Sequence, residues 1–266
     1  MMNRKNRPRS GPRKSRSESR KTGNQGLWMY GHHPVLAAIS NPARRCRLLL
    51  ATADALRNLQ KEVDLPGDLT VKTADRQEID RQLGPGSVHQ GLALQADPLP
   101  DEDLQSACSG HDLVLVLDQV TDPHNIGAIL RSAAAFGASA VVLQDRHSPA
   151  ATGALTKAAS GAVEKVPMVR VVNLARALDE LKTMGFWIVG LDAEAPASLD
   201  RVAESGPIAL VLGAEGPGLR RLSREACDVL AQIPFTGGMA SLNVSNAAAV
   251  ALYALRSSLE TTRSKG

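Results

Sequence analysis

The chain has 266 residues and a formal net charge of +4, with 43% hydrophobic and only 3% aromatic residues. That length suits two modest domains, and a core short of aromatics must be filled by Leu, Val, Ile and Ala, which argues against an all-β sandwich and for an α/β protein. The charge is uneven: residues 1–22 hold nine Lys or Arg and one acid, Glu18, which leaves 22 basic against 26 acidic side chains in the rest.

An arm of this composition cannot bury itself, so residues 1–26 are expected to be a disordered basic tail. Three readings of it stand: a solubilising tail, an arm that binds polyanions by releasing counterions, and a transit peptide. The last lacks the apolar helix face such peptides carry. The longest apolar run, Ala247–Leu255, is too short to span a membrane. Cys46, Cys108 and Cys227 are odd in number, far apart and outside any C-x-x-C, as expected of reduced cytoplasmic thiols. The six histidines show no metal-ligand spacing, and no metal site is expected.

Residues 27–97 read as a small α/β unit. A short helix begins at Val35–Ile39 after the break at Gly31-His-His-Pro34, and Arg47–Thr52 reads as a buried strand. Residues 53–62 carry a helical pattern, Leu69–Lys72 a strand, and Gln90–Gln95 another after Gly84-Pro-Gly86. The stretch 98–111, with Pro98, Pro100 and Gly110, is expected to be a linker. From 112 onward strands and helices alternate. Leu113–Leu117 is an apolar run ending in Asp118, and Ile126–Phe136 is helical and closed by Gly137. Ala140–Leu143 is a strand. Asn173 caps a helix with Leu174, Leu178 and Leu181 on one face, ended by Gly185. Phe186–Gly190 and Ile208–Leu212 are strands, a short one precedes Ile233, and Ser245–Leu259 is a helix apolar nearly all round at its start. This alternation implies a mostly parallel sheet with helices on both faces and ligands at the carboxyl ends of its strands.

Three strand-to-helix loops mix glycines with a few polar side chains. They are Asp118–Gly127, leading into a helix that carries Arg131; Leu212-Gly-Ala-Glu-Gly-Pro-Gly218; and Ile233–Ser245. Each alone reads as a tight turn. The spacing fits neither G-x-G-x-x-G nor the P-loop, so a dinucleotide fold and a P-loop nucleotidase are both excluded.

Taken in order, the loops resemble the three motifs of the SpoU (TrmH-like, SPOUT) family of RNA 2′-O-methyltransferases. Asn125 and Arg131 match the first motif, the glycine loop around Glu215 the second, and Ser241-Leu-Asn243-Val-Ser the third. Tyr30-Gly-His-His-Pro-Val and Val88-His-Gln-Gly91 are similar to the substrate-binding domain of the branch that methylates a guanosine in large-subunit ribosomal RNA. The likeness runs from about residue 28 to the C-terminus. The sequence departs from the family at Asn246, where an apolar residue is expected, and at Phe235, where Met is usual.

The resemblance implies a knotted (trefoil) parallel-sheet methyltransferase domain at 112–266, preceded by a small α/β RNA-binding domain at 27–97. It implies S-adenosylmethionine held against Leu212, Gly213, Gly216, Ile233 and Leu242. It gives catalytic roles to Arg131, Asn125, Glu215, Ser241 and Asn243. A guanidinium is not deprotonated in proteins, so Arg131 is expected to stabilise developing alkoxide and orient a phosphate that takes the proton. Asn125 is expected to orient Arg131 or the ribose, and Glu215 to fix nearby Arg or Asn side chains. Ser241 and Asn243 are expected to hydrogen-bond across the pocket floor, or to cap the helix that follows. The family forms homodimers through this domain with an active site drawn from both subunits. His89 and His124 are assigned to structure. Arg220, Arg221 and Arg224 either extend the RNA surface or form a solvated helix face. Two other functions fit the same fold: a transfer-RNA 2′-O-methyltransferase, and a non-catalytic RNA-binding or ribosome-assembly factor.

Overall fold

The computed structural model describes residues 26–146, 152–202, 206–234, 237 and 241–263, without the side chains of the last three. The basic tail up to residue 25 and Phe235 lie outside the described residues. The first unit runs β1 Leu27–Tyr30, α1 His32–Ser40, β2 Cys46–Ala51, α2 Ala53–Leu59, β3 Thr70–Thr73, α3 Arg76–Leu83 and β4 Leu92–Ala96. Its sheet has the order β1-β4-β2-β3, with β2 and β3 parallel and the other pairs antiparallel. The sequence expectation missed β1 and α3. The helix α3 buries only Ile79, so it carries no apolar stripe to be read.

Within the stretch expected to be a linker, α4 Leu104–Cys108 is a short helix. Its Leu104, Ala107 and Cys108 are buried in the core of the second unit. That unit continues with β5 Leu113–Asp118, α5 Pro123–Ala135, β6 Val141–Gln144, α6 Gly153–Ala159, a 3-10 turn Ala162–Glu164, β7 Met168–Val171 and α7 Leu174–Thr183. Next come β8 Trp187–Leu191, β9 Ala197–Ser198, a 3-10 turn Leu199–Arg201, β10 Ile208–Gly213, α8 Arg221–Ala226, β11 Val229–Gln232 and α9 Val244–Arg263.

Seven strands form one sheet in the order β7-β6-β5-β10-β8-β11-β9, and every pairing in it is parallel. The central strands are buried on both faces, which is why they read as continuous apolar runs. Alternation along β5 sends Leu113, Leu115 and Leu117 to a core shared with α5, α6 and α9. Val114 and Val116 point to the opposite core, shared with α4 and α7. The expected parallel α/β architecture is therefore present. Gly137 (φ 68°) follows α5, and Asn173 Oδ1 accepts the Arg176 amide at 3.2 Å to start α7. No described helix is long and apolar enough to cross a membrane.

The two units are joined through a buried ion pair. Arg44, after α1, places Nη2 at 2.7 Å from Glu164 Oε1, and the two side chains are only 2% and 3% exposed. Asn41 Nδ2 donates to Glu164 Oε2 at 2.7 Å, and Arg44 Nη1 donates to the Asp97 carbonyl at 2.7 Å. A second polar contact joins the units, where Lys157 of α6 donates to Gln90 Oε1 at 2.9 Å, which also accepts the His32 amide at 3.1 Å. The two N-terminal segments that resemble the family thus meet each other and the second unit at one point.

Candidate functional site

The three motif loops leave the C-terminal ends of the parallel strands β5, β10 and β11, which stand in one sheet with β8 between the last two, so all three open at the same edge of that sheet. Asp122 begins α5 by accepting the His124 amide at 3.1 Å, which sets Asn125 in the first turn. Asn125 Nδ2 donates to Glu215 Oε1 at 3.2 Å. Asn243 Nδ2 donates to the same oxygen at 2.5 Å and to Asn125 Oδ1 at 3.1 Å. The Val244 amide also points at Glu215 Oε1, at 3.4 Å. One side chain from each of the three motifs, 118 residues apart at the extremes, therefore enters a single hydrogen-bonded cluster. Asn243 is also the cap of α9: its Oδ1 accepts the Ser245 amide at 2.9 Å and the Ser245 hydroxyl at 2.6 Å. Asn246, the departure from the family pattern, is exposed in the first turn of that helix and takes no part in the cap.

Beside this cluster lies a cavity of about 420 Å³. Leu212, Gly213, Gly216, Ile233 and Leu242 all line it, as do Glu215, Ser241 and Asn243. Gly213 ends β10 where the chain folds back, and a Cβ there would stand 2.2 Å from the Gly218 carbonyl carbon. Only glycine permits that approach. Replacement of Gly213 by alanine is expected to push the loop into the cavity and weaken cofactor binding by about tenfold or more. Isothermal titration with S-adenosylhomocysteine checks this.

Arg131 is not brought into the cluster. It is exposed, outside the cavity lining, and makes no hydrogen bond or ion pair among the described residues. It lies six residues beyond Asn125 on α5, about 9 Å further along the helix axis. Ser241 lines the cavity without a hydrogen bond among the described residues.

Sequence reasoning passed over two acids at this end of the sheet. Asp118, fully buried, accepts the Arg220 amide at 2.9 Å and its Nε at 2.6 Å, tying the first loop to the chain after the second. Asp192, just past β8, lines the cavity and pairs with Arg224. Arg221 pairs with Glu225 at 2.7 Å. Each arginine of the cluster weighed as an RNA surface thus has a carboxylate partner. An acid at the carboxyl end of a parallel strand was the signal that could have marked Asp118 and Asp192.

His89 is buried, with Nδ1 accepting the Gly91 amide at 3.0 Å and Nε2 facing Asp80 at 3.3 Å, so it shapes its own loop. His124 is exposed at the start of α5. Burial pushes the thiols of Cys46 and Cys108 up to about 11 and that of Cys227 up to about 12. All three are therefore protonated and poorly nucleophilic at neutral pH. Among the described residues no three His, Cys, Asp or Glu side chains group as metal ligands.

The chain belongs to the SpoU rRNA methylase family, which matches residues 112–253, and residues 28–102 match the domain described as RNA 2′-O ribose methyltransferase substrate binding. One relative is the 23S rRNA (guanosine-2′-O-)-methyltransferase RlmB of Xylella fastidiosa (strain 9a5c). It is 43% identical over 236 residues, covering 85% of this chain and 94% of the relative. A solved structure of a TrmH-family RNA methyltransferase from Porphyromonas gingivalis superposes with a TM-score of 0.72 at 27% identity, covering 88% of this chain and 90% of that one. The SpoU methyltransferase AviRb from Streptomyces viridochromogenes, solved with AdoMet, shares the fold at a TM-score of 0.75 and 23% identity, covering 92% and 93%.

Proposed function

We propose that this protein transfers a methyl group from S-adenosylmethionine to the 2′-oxygen of a guanosine ribose in 23S rRNA. The observation that carries the reading is the Asn125–Glu215–Asn243 cluster beside a cavity walled by Leu212, Ile233 and Leu242. The cavity falls within the range of about 300–1,000 Å³ usual for small-molecule sites, and its apolar walls and glycine turn suit a flat adenine and backbone hydrogen bonds. S-adenosylmethionine would supply an electrophilic methyl on a sulfonium. Leu212, Gly213, Gly216, Ile233 and Leu242 would hold it. Asn125 is held by Glu215 and Asn243 and keeps one amide hydrogen for the ribose, with Ser241 at the floor. Arg131 stays protonated, stabilises charge growing on the 2′-oxygen and orients the neighbouring phosphate, which takes the proton.

The same reading divides the chain into an RNA-selecting unit at 27–97, a connection at 98–111 whose helix α4 packs into the second unit's core, and a methyltransferase unit at 112–266, threaded as the family's trefoil and acting in the cytoplasm. It also makes the protein a homodimer. Support comes from α9, where Val250 (44% exposed) and Tyr253 (65%) form an apolar stripe on the solvent side, with Phe136 stacked edge-on against Tyr253. Replacing both Val250 and Tyr253 by glutamate is expected to yield a monomer in sedimentation velocity. The separation of Arg131 from its own cluster supports a site completed by the partner subunit. Mixing Arg131→Ala with Asn243→Ala subunits is then expected to restore activity, because each mixed dimer holds one intact site. If Arg131 served its own subunit, mixing would restore nothing.

Transfer of labelled methyl to unmodified 23S rRNA, in competition with transfer RNA, tests the substrate class. Incorporation into the ribosomal RNA is expected. Preference for transfer RNA would favour a tRNA enzyme, and incorporation into neither RNA nor an assembling subunit would favour a binding factor.

A further inference from the structure

The cavity lining carries two polar groups from different loops. On the side of β5 and α9 stand Glu215 and Asn243, hydrogen-bonded to each other, with Ser241. Past β8, which lies between β10 and β11, stands Asp192, and Leu212, Ile233 and Leu242 supply the apolar lining. In the sheet β10 separates β8 from β5, so Asp192 lies about two strand spacings, roughly 10 Å, from the first motif's strand. Its side chain is 12% exposed. Each carboxylate oxygen already has one donor: the Glu194 amide at 2.9 Å on Oδ1, and Arg224 Nη2 on Oδ2. An ionised carboxylate has about four acceptor positions, so capacity remains for a further donor.

We propose that Asp192 is a cofactor-binding residue whose carboxylate accepts a hydrogen bond from the ribose of S-adenosylmethionine. This rests on the cofactor reading of the cavity. The chemistry selects the ribose over the ligand's charged donor. The methyl must lie toward Asn125 and Asn243, so the part reaching Asp192 is away from the reacting centre. The ligand's ammonium group would be a second cation beside Arg224, which already neutralises Asp192, and like charges oppose that placement. A ribose hydroxyl is a neutral donor and meets no such repulsion. An acid at the carboxyl end of a parallel strand holding a ribose hydroxyl is a solution other nucleotide-binding sheets also use. Arg224 would serve as a positioning residue that holds the carboxylate at the cavity edge.

The test is a binding cycle by isothermal titration, with S-adenosylhomocysteine and its 2′-deoxy and 3′-deoxy forms as ligands and the wild-type protein and Asp192→Ala as proteins. A hydrogen bond to a charged acceptor is expected to make at least one deoxy ligand bind wild-type protein about tenfold more weakly. Asp192→Ala is expected to bind the parent ligand more weakly by a similar factor and to bind that deoxy ligand within about twofold of the parent. Equal binding of all three ligands to wild-type protein would overturn the proposal, and this arm stands even if the variant fails to fold. A hydroxyl deletion that costs the variant as much as wild type would overturn it too. Wild-type protein that binds none of the three would overturn the cofactor reading itself, a result distinct from the other two.

Discussion

Glu164→Ala is expected to lower the stability of the chain by about 3–5 kcal/mol, because it leaves a buried arginine without its counter-charge. Arg44 is 2% exposed at its side chain and directs three of its hydrogen bonds at Glu164. With the carboxylate gone, Asn41 and Arg44 lose a shared acceptor in a place water does not reach. Chemical unfolding followed by circular dichroism gives the number. The paired replacement Arg44→Met with Glu164→Leu is expected to cost far less, since it buries no unpaired charge. A loss below about 1 kcal/mol for Glu164→Ala would mean that the pair is solvated and does not hold the two units together.

Arg131→Ala is expected to reduce kcat by about 10²–10³-fold, the usual cost of removing one preorganised group from a developing oxyanion. Binding of S-adenosylhomocysteine is expected to be unchanged, because Arg131 stands outside the cavity lining. Single-turnover methyl transfer and titration read the two effects separately. A variant weakened equally in cofactor binding and turnover would place Arg131 in the cofactor site instead. Arg131→Lys keeps the charge but loses the planar fork that suits a phosphate, so only partial recovery is expected.

The central strands of the second unit were legible because a parallel strand covered on both faces has no choice but to be apolar, as Leu113–Leu117 and Ile208–Leu212 are, whereas the half-buried edge strands β7 and β9 were not. The helices α5, α7 and α9 were legible for a related reason: each is at least ten residues long and has a stripe to bury. The shorter pieces were not. At seven and six residues, α6 and α8 span too few turns for a period to emerge. The helix α3 offered only a local cue, Asp75 accepting the Glu78 amide at 2.8 Å. The polar contacts between distant segments were invisible for a different reason. Nothing near Arg44 in sequence points to Glu164, which is 120 residues away, and nothing near Asp118 points to Arg220. The candidate site lies between these cases. Its glycine loops mark turns, but the gathering of Asn125, Glu215 and Asn243 followed from family resemblance, and their hydrogen bonds emerge only once the three loops meet at one edge of the sheet.

The central claim is that the transferred methyl ends on a ribose oxygen of one guanosine. The most direct measurement incubates unmodified 23S rRNA, free and in assembling particles, with the protein and S-adenosylmethionine, digests the product to nucleosides and analyses them by mass spectrometry. The expected product is 2′-O-methylguanosine, approaching one per RNA molecule, absent from the Arg131→Ala reaction, at a single position resistant to alkaline cleavage. A methylated base, a methyl on another nucleoside, or no methylation of either RNA form by a protein that binds the cofactor would contradict it.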